Sequence, residues 1–344
     1  MPVPDRGTGS ALHQPAFLRC PRGPAARSTV GLHLGPTGAA RHDAPGCRRR
    51  PARLSSMPAC RSTSVILVLT LWLAACGGDR ASSDNEPSLT GIEPVLATQR
   101  WPSPLDTLDP NAPARWGVEV LDRFPHDTHA FTQGLEALGD GTLLESTGLR
   151  GESTIRIVDP TTGVVLDTAN LTDEEFGEGA TVVDDTIVQL TWQSGRARRW
   201  RLSDLTPLEP WAFEGEGWGL CLLGDRLAMS DGSATLTFRD PHDFAILEQV
   251  TVTFEGDDVT RLNELECVDG HVIANIWQSP AIIVIRPDGR AVATIDGTPL
   301  VDEIGSTAPS REALNGIAVR DETSFWLTGK QWPTLFAIGV APDA

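Results

Sequence analysis

A short pattern recurs five times in this chain of 344 residues, and few folds accommodate such a repeat. Gln133-Gly134-Leu135-Glu136 aligns with Glu178-Gly179-Ala180-Thr181, Trp218-Gly219-Leu220-Cys221, Asn263-Glu264-Leu265-Glu266 and Asn315-Gly316-Ile317-Ala318. The first residues of these tetrads lie 45, 40, 45 and 52 positions apart. A turn follows each tetrad, then a second apolar strand at 142–146, 187–192, 227–231, 272–277 and 325–330. Third and fourth strands complete each unit. Turn clusters such as Asp159-Pro160-Thr161-Thr162-Gly163 and Pro287-Asp288-Gly289 separate them, and no helix-period stretch interrupts. The fold class is therefore all-β. Sandwich, barrel and propeller all satisfy the strand pattern; a fivefold unit of about four strands predicts a five-bladed β-propeller. The last unit runs short, and the spare strand at 117–124 is expected to supply its outer strand and close the ring, leaving no open sheet edge.

In such a ring equivalent positions converge near the axis. Gln133, Glu178, Trp218, Asn263 and Asn315 lead the tetrads, so the mouth of the channel is the expected site. Any one of them could cap a turn or fill a core. A scaffold alone gives no reason to gather a carboxylate, an indole and three amides at one height.

The formal net charge of −18 argues against nucleic acid as a partner, since phosphate recognition needs clustered Lys and Arg. That charge is unevenly distributed. Residues 1–56 hold nine Arg against only Asp5 and Asp43, which sets them apart from everything downstream. They read as a transit-like leader or as a start codon placed too early, with Met57 the expected first residue. Residues 57–75 then read as a signal peptide: Arg61, the apolar run 65–72, and Leu73-Ala74-Ala75 before Cys76. Small residues ahead of a Cys resemble the lipobox of bacterial lipoproteins. This predicts cleavage before Cys76, acylation there, and a lipid-anchored protein in the cell envelope facing the periplasm or the exterior. The apolar run is too short for a spanning helix. Residues 76–115, rich in Ser, Pro, Asp and Asn, are expected to be a disordered tether, and 116–344 the folded domain.

Cys20, Cys47 and Cys60 precede the expected cleavage point, leaving Cys221 and Cys267 in an oxidising compartment. A disulfide between them and two separate buried thiols are both open, the separate thiols being the expectation. No Cys-x-x-Cys supports a zinc ribbon or redox dithiol.

A series of motifs goes further. They are the stretch 124–135 (Phe-Pro-His-Asp-Thr-His-Ala-Phe-Thr-Gln-Gly-Leu), Glu145-Ser146-Thr147-Gly148, Phe176-Gly177-Glu178-Gly179, Leu190-Thr191-Trp192 and Gly217-Trp218-Gly219-Leu220. Arg261-Leu262-Asn263-Glu264, Ala274-Asn275-Ile276-Trp277, Leu314-Asn315-Gly316-Ile317 and Thr328-Gly329-Lys330-Gln331-Trp332-Pro333 continue it. In this order and spacing, residues 117–341 resemble the plant and bacterial glutaminyl-peptide cyclotransferases. Arg150, where an aromatic is expected, and Thr128, where Pro is usual, depart from the pattern.

The resemblance implies a five-bladed propeller that converts the N-terminal Gln of peptides or proteins to pyroglutamate with loss of ammonia, with no catalytic zinc or other cofactor. The chemistry suits the residues. The α-amine must lose a proton to attack the γ-carbonyl and the leaving amide nitrogen must gain one, so one carboxyl can serve both steps. Glu178 takes that role, with Glu145 as the next carboxylate to consider. Gln133, Asn263 and Lys330 are the implied donors to the oxyanion. Phe131, Trp192, Trp218 and Trp277 would wall the slot, Asn315 would also bind substrate, and Trp277 has blade packing as its competing role. His126 and His129 read as loop packing. The sequence leaves room for a structural cation in the channel. Two other functions stay open: a metal-dependent, lactonase-like propeller hydrolase using Glu178, Asn263 and Asn315, and a non-catalytic propeller lipoprotein that binds a partner.

Overall fold

The computed structural model describes residues 100–305 and 313–343. The leader, signal-peptide and Cys76 readings lie outside them.

A 12-residue strand, β1 (Ala114–Pro125), opens the sheets. Four antiparallel strands follow as β2 (Thr132–Ala137), β3 (Leu143–Thr147), β4 (Thr154–Val158) and β5 (Val165–Asn170). A second such sheet holds β6 (Gly177–Val183), β7 (Thr186–Thr191), β8 (Arg196–Arg201) and β9 (Pro207–Ala212). A third holds β10 (Leu220–Leu223), β11 (Arg226–Met229), β12 (Thr235–Arg239) and β13 (Ile246–Thr251), and a short hairpin, β14 (Thr253–Phe254) with β15 (Asp257–Asp258), comes next. The last strands are β16 (Leu262–Val268), β17 (His271–Ile276), β18 (Ala281–Ile285), β19 (Ala291–Asp296), β20 (Leu314–Val319), β21 (Phe325–Gly329) and β22 (Thr334–Pro342). Together with β1 they form an eight-stranded sheet in the order β16-β17-β18-β19-β1-β22-β21-β20. The protein is thus all-β with several sheets.

The turns that punctuate the strands have a local cause. Asp159 Oδ1 accepts the Thr161 backbone N–H at 2.8 Å, and Asp240 Oδ1 accepts that of His242 at 2.7 Å. These are side-chain mimics of a backbone turn. Gly163 then reverses the chain at φ 70°, with a backbone carbonyl only 2.6 Å from where a Cβ would stand.

The expected N-terminal strand does pair antiparallel with the end of the chain, Val118 opposite Val340 and Phe124 opposite Leu335. It does more than was foreseen: its start also pairs in parallel with β19, Trp116 opposite Ile295. That second pairing joins the two C-terminal sets of strands into one sheet.

Hydrogen bonds from the first and second strands link the five repeats in sequence. The Ser146 hydroxyl donates to the Glu178 carbonyl, Gly179 N–H to the Trp218 carbonyl at 2.6 Å, and Ser230 Oγ to the Asn263 carbonyl at 2.7 Å. Gly316 N–H donates to Asn275 Oδ1 at 3.1 Å, and Asn315 Nδ2 returns to the Thr132 carbonyl at 2.9 Å. The second tetrad position must be small for this approach: a Cβ on Gly179 would stand 2.6 Å from the Leu220 backbone nitrogen. The fourth tetrad has Glu264 instead. Its buried carboxyl reaches across to accept the Leu135 and Ile317 backbone N–H groups at 3.3 and 2.9 Å.

Three expectations need correction. The stretch 100–113, assigned to the tether, is packed: Trp101 is 6% and Leu105 4% exposed, and the Trp101 ring stacks on Trp116 with centroids 5.7 Å apart. Burying such side chains stabilises by roughly 1.5–3 kcal/mol each, which outweighs the local Pro and Asp content. Cys221 and Cys267 are disulfide-bonded, with Cα atoms 5.4 Å apart, and not separate thiols. They lie on β10 and β16, neighbouring inner strands, so the close approach of the tetrads brings them together. A helix also exists, α1 (Thr298–Ile304). Its seven residues, with Pro299 in the first turn and only Leu300 buried, are too few to display a period. Among the described residues no helix is long and apolar enough to cross a membrane.

Candidate active site

An antiparallel pair places the start of its first strand beside the end of its second. The repeat therefore brings two kinds of position to one end of the sheets. Gln133, Glu178 and Asn263 lie on the first strands, with Phe131, Phe176 and Trp218 just before them; Trp192, Trp277 and Lys330 lie just after the second strands. These nine residues line one pocket of about 240 Å³. The floor is polar and buried, while the aromatic walls are half-exposed.

The walls are interlocked edge to face. Phe131 meets Phe176 at 6.0 Å, Phe176 meets Trp192 at 5.6 Å, and Trp218 meets Trp277 at 5.6 Å between centroids. Trp277 is thus part of the pocket wall, not blade filling alone. Phe176 was not singled out as a site residue, although it stands two positions before the second tetrad, as Phe131 stands two before the first. That shared offset was the available signal.

On the floor, Lys330 Nζ bonds Gln133 Oε1 and stands 4.9 Å from the Phe131 ring centroid. Burial lowers its pKa to about 8, although Glu178 and Glu264 pull the other way. Burial likewise raises the Glu178 carboxyl well above its ordinary value; the Lys330 charge offsets this in part and Glu216 adds to it. Glu178 Oε2 is buried with no hydrogen-bond partner among the described residues. A buried carboxyl oxygen without a partner, facing an aromatic slot, is costly in a finished scaffold and useful beside a ligand.

Asn315 does not line the pocket. Its Nδ2 donates to the Thr132 carbonyl at 2.9 Å and to Gln133 Oε1 at 3.2 Å, so it holds Gln133 from behind. Tetrad position predicted equivalence; the different side chains in the neighbouring repeats decided which of them face the opening. Glu145 is also unsuited to proton transfer. Its carboxylate is enclosed by Arg156 at 2.7 Å, His126 at 3.0 Å and Thr132 at 2.7 Å. His126 also contacts the Trp332 carbonyl at 2.8 Å, so it packs a loop, while His129 is exposed beside Asp127. Among the described residues no group of three or more His, Cys, Asp or Glu side chains is arranged to hold a metal ion.

Residues 92–340 match the glutamine cyclotransferase family. The chain is 38% identical over 229 residues to a glutaminyl-peptide cyclotransferase of Arabidopsis thaliana, covering 64% of this chain and 70% of that protein. It is also similar to the crystal structure of Myxococcus xanthus glutaminyl cyclase, with a TM-score of 0.64 and 34% identity over 67% of this chain and all of that one.

Proposed function

The chain belongs to the glutamine cyclotransferase family, and from that premise we propose that it cyclises the N-terminal Gln of peptides or proteins to pyroglutamate, releasing ammonia. The observation that carries this reading is the buried Glu178 carboxyl, whose Oε2 has no hydrogen-bond partner among the described residues, in the same pocket as the Gln133–Lys330 pair and walled by flat rings. An amide side chain has the planar shape that such a slot receives.

In the proposed reaction the free α-amine attacks the γ-carbonyl. Glu178 relays one proton from the attacking nitrogen to the leaving one, so that it ends the cycle in its starting state and ammonia departs. Gln133, Asn263 and Lys330 stabilise the oxyanion from the floor of the slot. Phe131, Phe176, Trp192, Trp218 and Trp277 exclude water and hold the amide flat. No step calls for a metal or cofactor; cyclisation is expected to persist in excess chelator. The lactonase-like alternative has no observation in its favour, since the Asn315 amide is turned away from the pocket.

The architecture we infer is a five-bladed propeller whose last blade is completed by β1. It is supported by the five four-strand sets and by the hydrogen bonds that run from the first tetrad round to the fifth and back. We also infer from 73–76 that Cys76 is the acylated mature N-terminus and that the domain is held at the cell envelope. Mass analysis of the native N-terminus tests this; an unmodified Cys76 would refute it.

The function is tested by incubating the purified protein with a Gln-initiated peptide and following the mass by one ammonia. An unchanged peptide at substrate and enzyme concentrations where the folded state is verified would overturn the reading.

A further inference from the structure

Glu216 is absent from the pocket's lining and from every motif read in the sequence. Its carboxylate nevertheless holds two residues of the pocket wall at once. Oε2 accepts the Trp192 indole N–H at 2.7 Å and the Trp218 indole N–H at 3.1 Å, while Oε1 accepts the Gln193 amide at 2.9 Å. These two indoles come from different sheets, one following β7 and one preceding β10. The backbone fixes the carboxylate between them: Gly217 N–H donates to the Trp192 carbonyl at 3.2 Å and Trp218 N–H to the Ser230 carbonyl at 3.0 Å. Gly217 permits this because a Cβ there would stand 2.9 Å from the Leu190 side chain. The three donors also hold Glu216 ionised, outweighing the effect of its partial burial.

An indole has one donor and no acceptor, so its N–H orients the whole ring. With both N–H groups drawn to one oxygen, neither ring can turn about its χ2 axis without breaking a charge-assisted bond. The N–H edges of both rings are then anchored on a single atom. We propose that Glu216 is a positioning residue for the cyclisation reaction, fixing the orientation of the Trp192 and Trp218 rings that wall the slot for the substrate's planar amide. This rests on the proposed function, and it assigns Glu216 no contact with the reacting atoms.

The experiment compares Glu216→Ala with Glu216→Gln in the full chain. The amide of Glu216→Gln still offers one acceptor oxygen to both indoles. Expected is a fall in kcat/KM of about 10²-fold for Glu216→Ala, carried mainly by KM, since small misplacements of a substrate cost that much. Glu216→Gln is expected within about threefold of wild type, because a neutral acceptor is roughly half as strong as a charged one. Indole N–H resonances of isotope-labelled protein without substrate supply a readout independent of catalysis. Two of them should move in Glu216→Ala and return most of the way in Glu216→Gln. Unmoved resonances in Glu216→Ala would overturn the positioning role whatever the enzyme's reaction. Wild-type KM in a folded Glu216→Ala, or equal damage in both variants, would overturn it too. A wild-type chain inert on Gln peptides, with the resonances behaving as expected, would refute the reaction and leave the positioning geometry standing.

Discussion

Glu145 and Glu178 are both almost completely buried, 1% and 4% exposed, and they lie on adjacent sheets. Burial drives both carboxyls toward the neutral form. At Glu145 the charges of His126 and Arg156 reverse that push and hold the pKa at about 2. At Glu178 the single cation, Lys330, is itself weakened by burial, and the carboxyl stays well above its ordinary value. Equal burial therefore yields opposite chemistry. A carboxylate surrounded by donors is a structural anion, and one left facing a slot is a proton carrier in waiting. On the proposed mechanism, the same contrast assigns proton transfer to Glu178 and not to Glu145, despite the latter's place near the end of the first repeat's second strand.

The largest expected effect breaks this comparison on the catalytic side. Glu178→Gln removes the exchangeable proton and keeps the shape, so kcat should fall by ~10²–10⁴-fold. The melting temperature should hold or rise, because no satisfied interaction is lost. Steady-state kinetics on protein of verified fold checks it; turnover within threefold of wild type would end the assignment.

Glu145→Gln should do the reverse. Breaking a buried ion pair from one side costs about 3–5 kcal/mol, measured by denaturant unfolding at pH 7. The folded fraction should retain most of its kcat. The sign with pH follows from the depressed pKa. Glu145 stabilises the fold fully above its ordinary value near 4.5 and loses that contribution as pH falls toward about 2. Wild type should therefore lose stability across this window more steeply than Glu145→Gln.

Replacing both Cys221 and Cys267 by Ser should cost about 2–4 kcal/mol of stability with little change in kcat. The bond joins neighbouring inner strands but touches no pocket side chain. A large kcat loss at intact fold would mean that strand spacing is transmitted to the floor.

The smallest effect expected is on the alkaline side. Lys330 is cationic below about 8 and loses its charge above it, whereas the same side chain unfolded keeps its proton to near 10.5. Deprotonation should remove an oxyanion donor, so kcat/KM should decline above pH 8 while stability rises slightly, since the unfolded state binds the extra proton in that window. Lys330→Arg, whose charge persists, should flatten the alkaline decline.

Repetition made the fold class legible. Tetrads at near-constant spacing announce equivalent strands and named Gln133, Glu178, Trp218 and Asn263, while the family resemblance added Phe131, Trp192, Trp277 and Lys330; all eight line the pocket. Offsets say where a residue sits in its own unit, not what its neighbour in the next unit offers it. Asn315 was placed at the mouth on this logic and turns out to brace Gln133. Glu216 was invisible because its partners, Trp192 and Trp218, belong to two different sheets.

The sequence by itself determined the all-β class, the fivefold repeat and the turn chemistry, because these depend on alternation, short-range hydrogen bonds and repeat length. Only the tertiary structure decided the Cys221–Cys267 bond, the packing of Trp101 and Leu105, the parallel pairing of β1 with β19, and the opposite fates of Glu145 and Glu178. Each of these turns on which groups from distant parts of the chain stand within a few ångströms. Disulfide formation, desolvation and ion pairing are set by that proximity, and sequence spacing does not encode it.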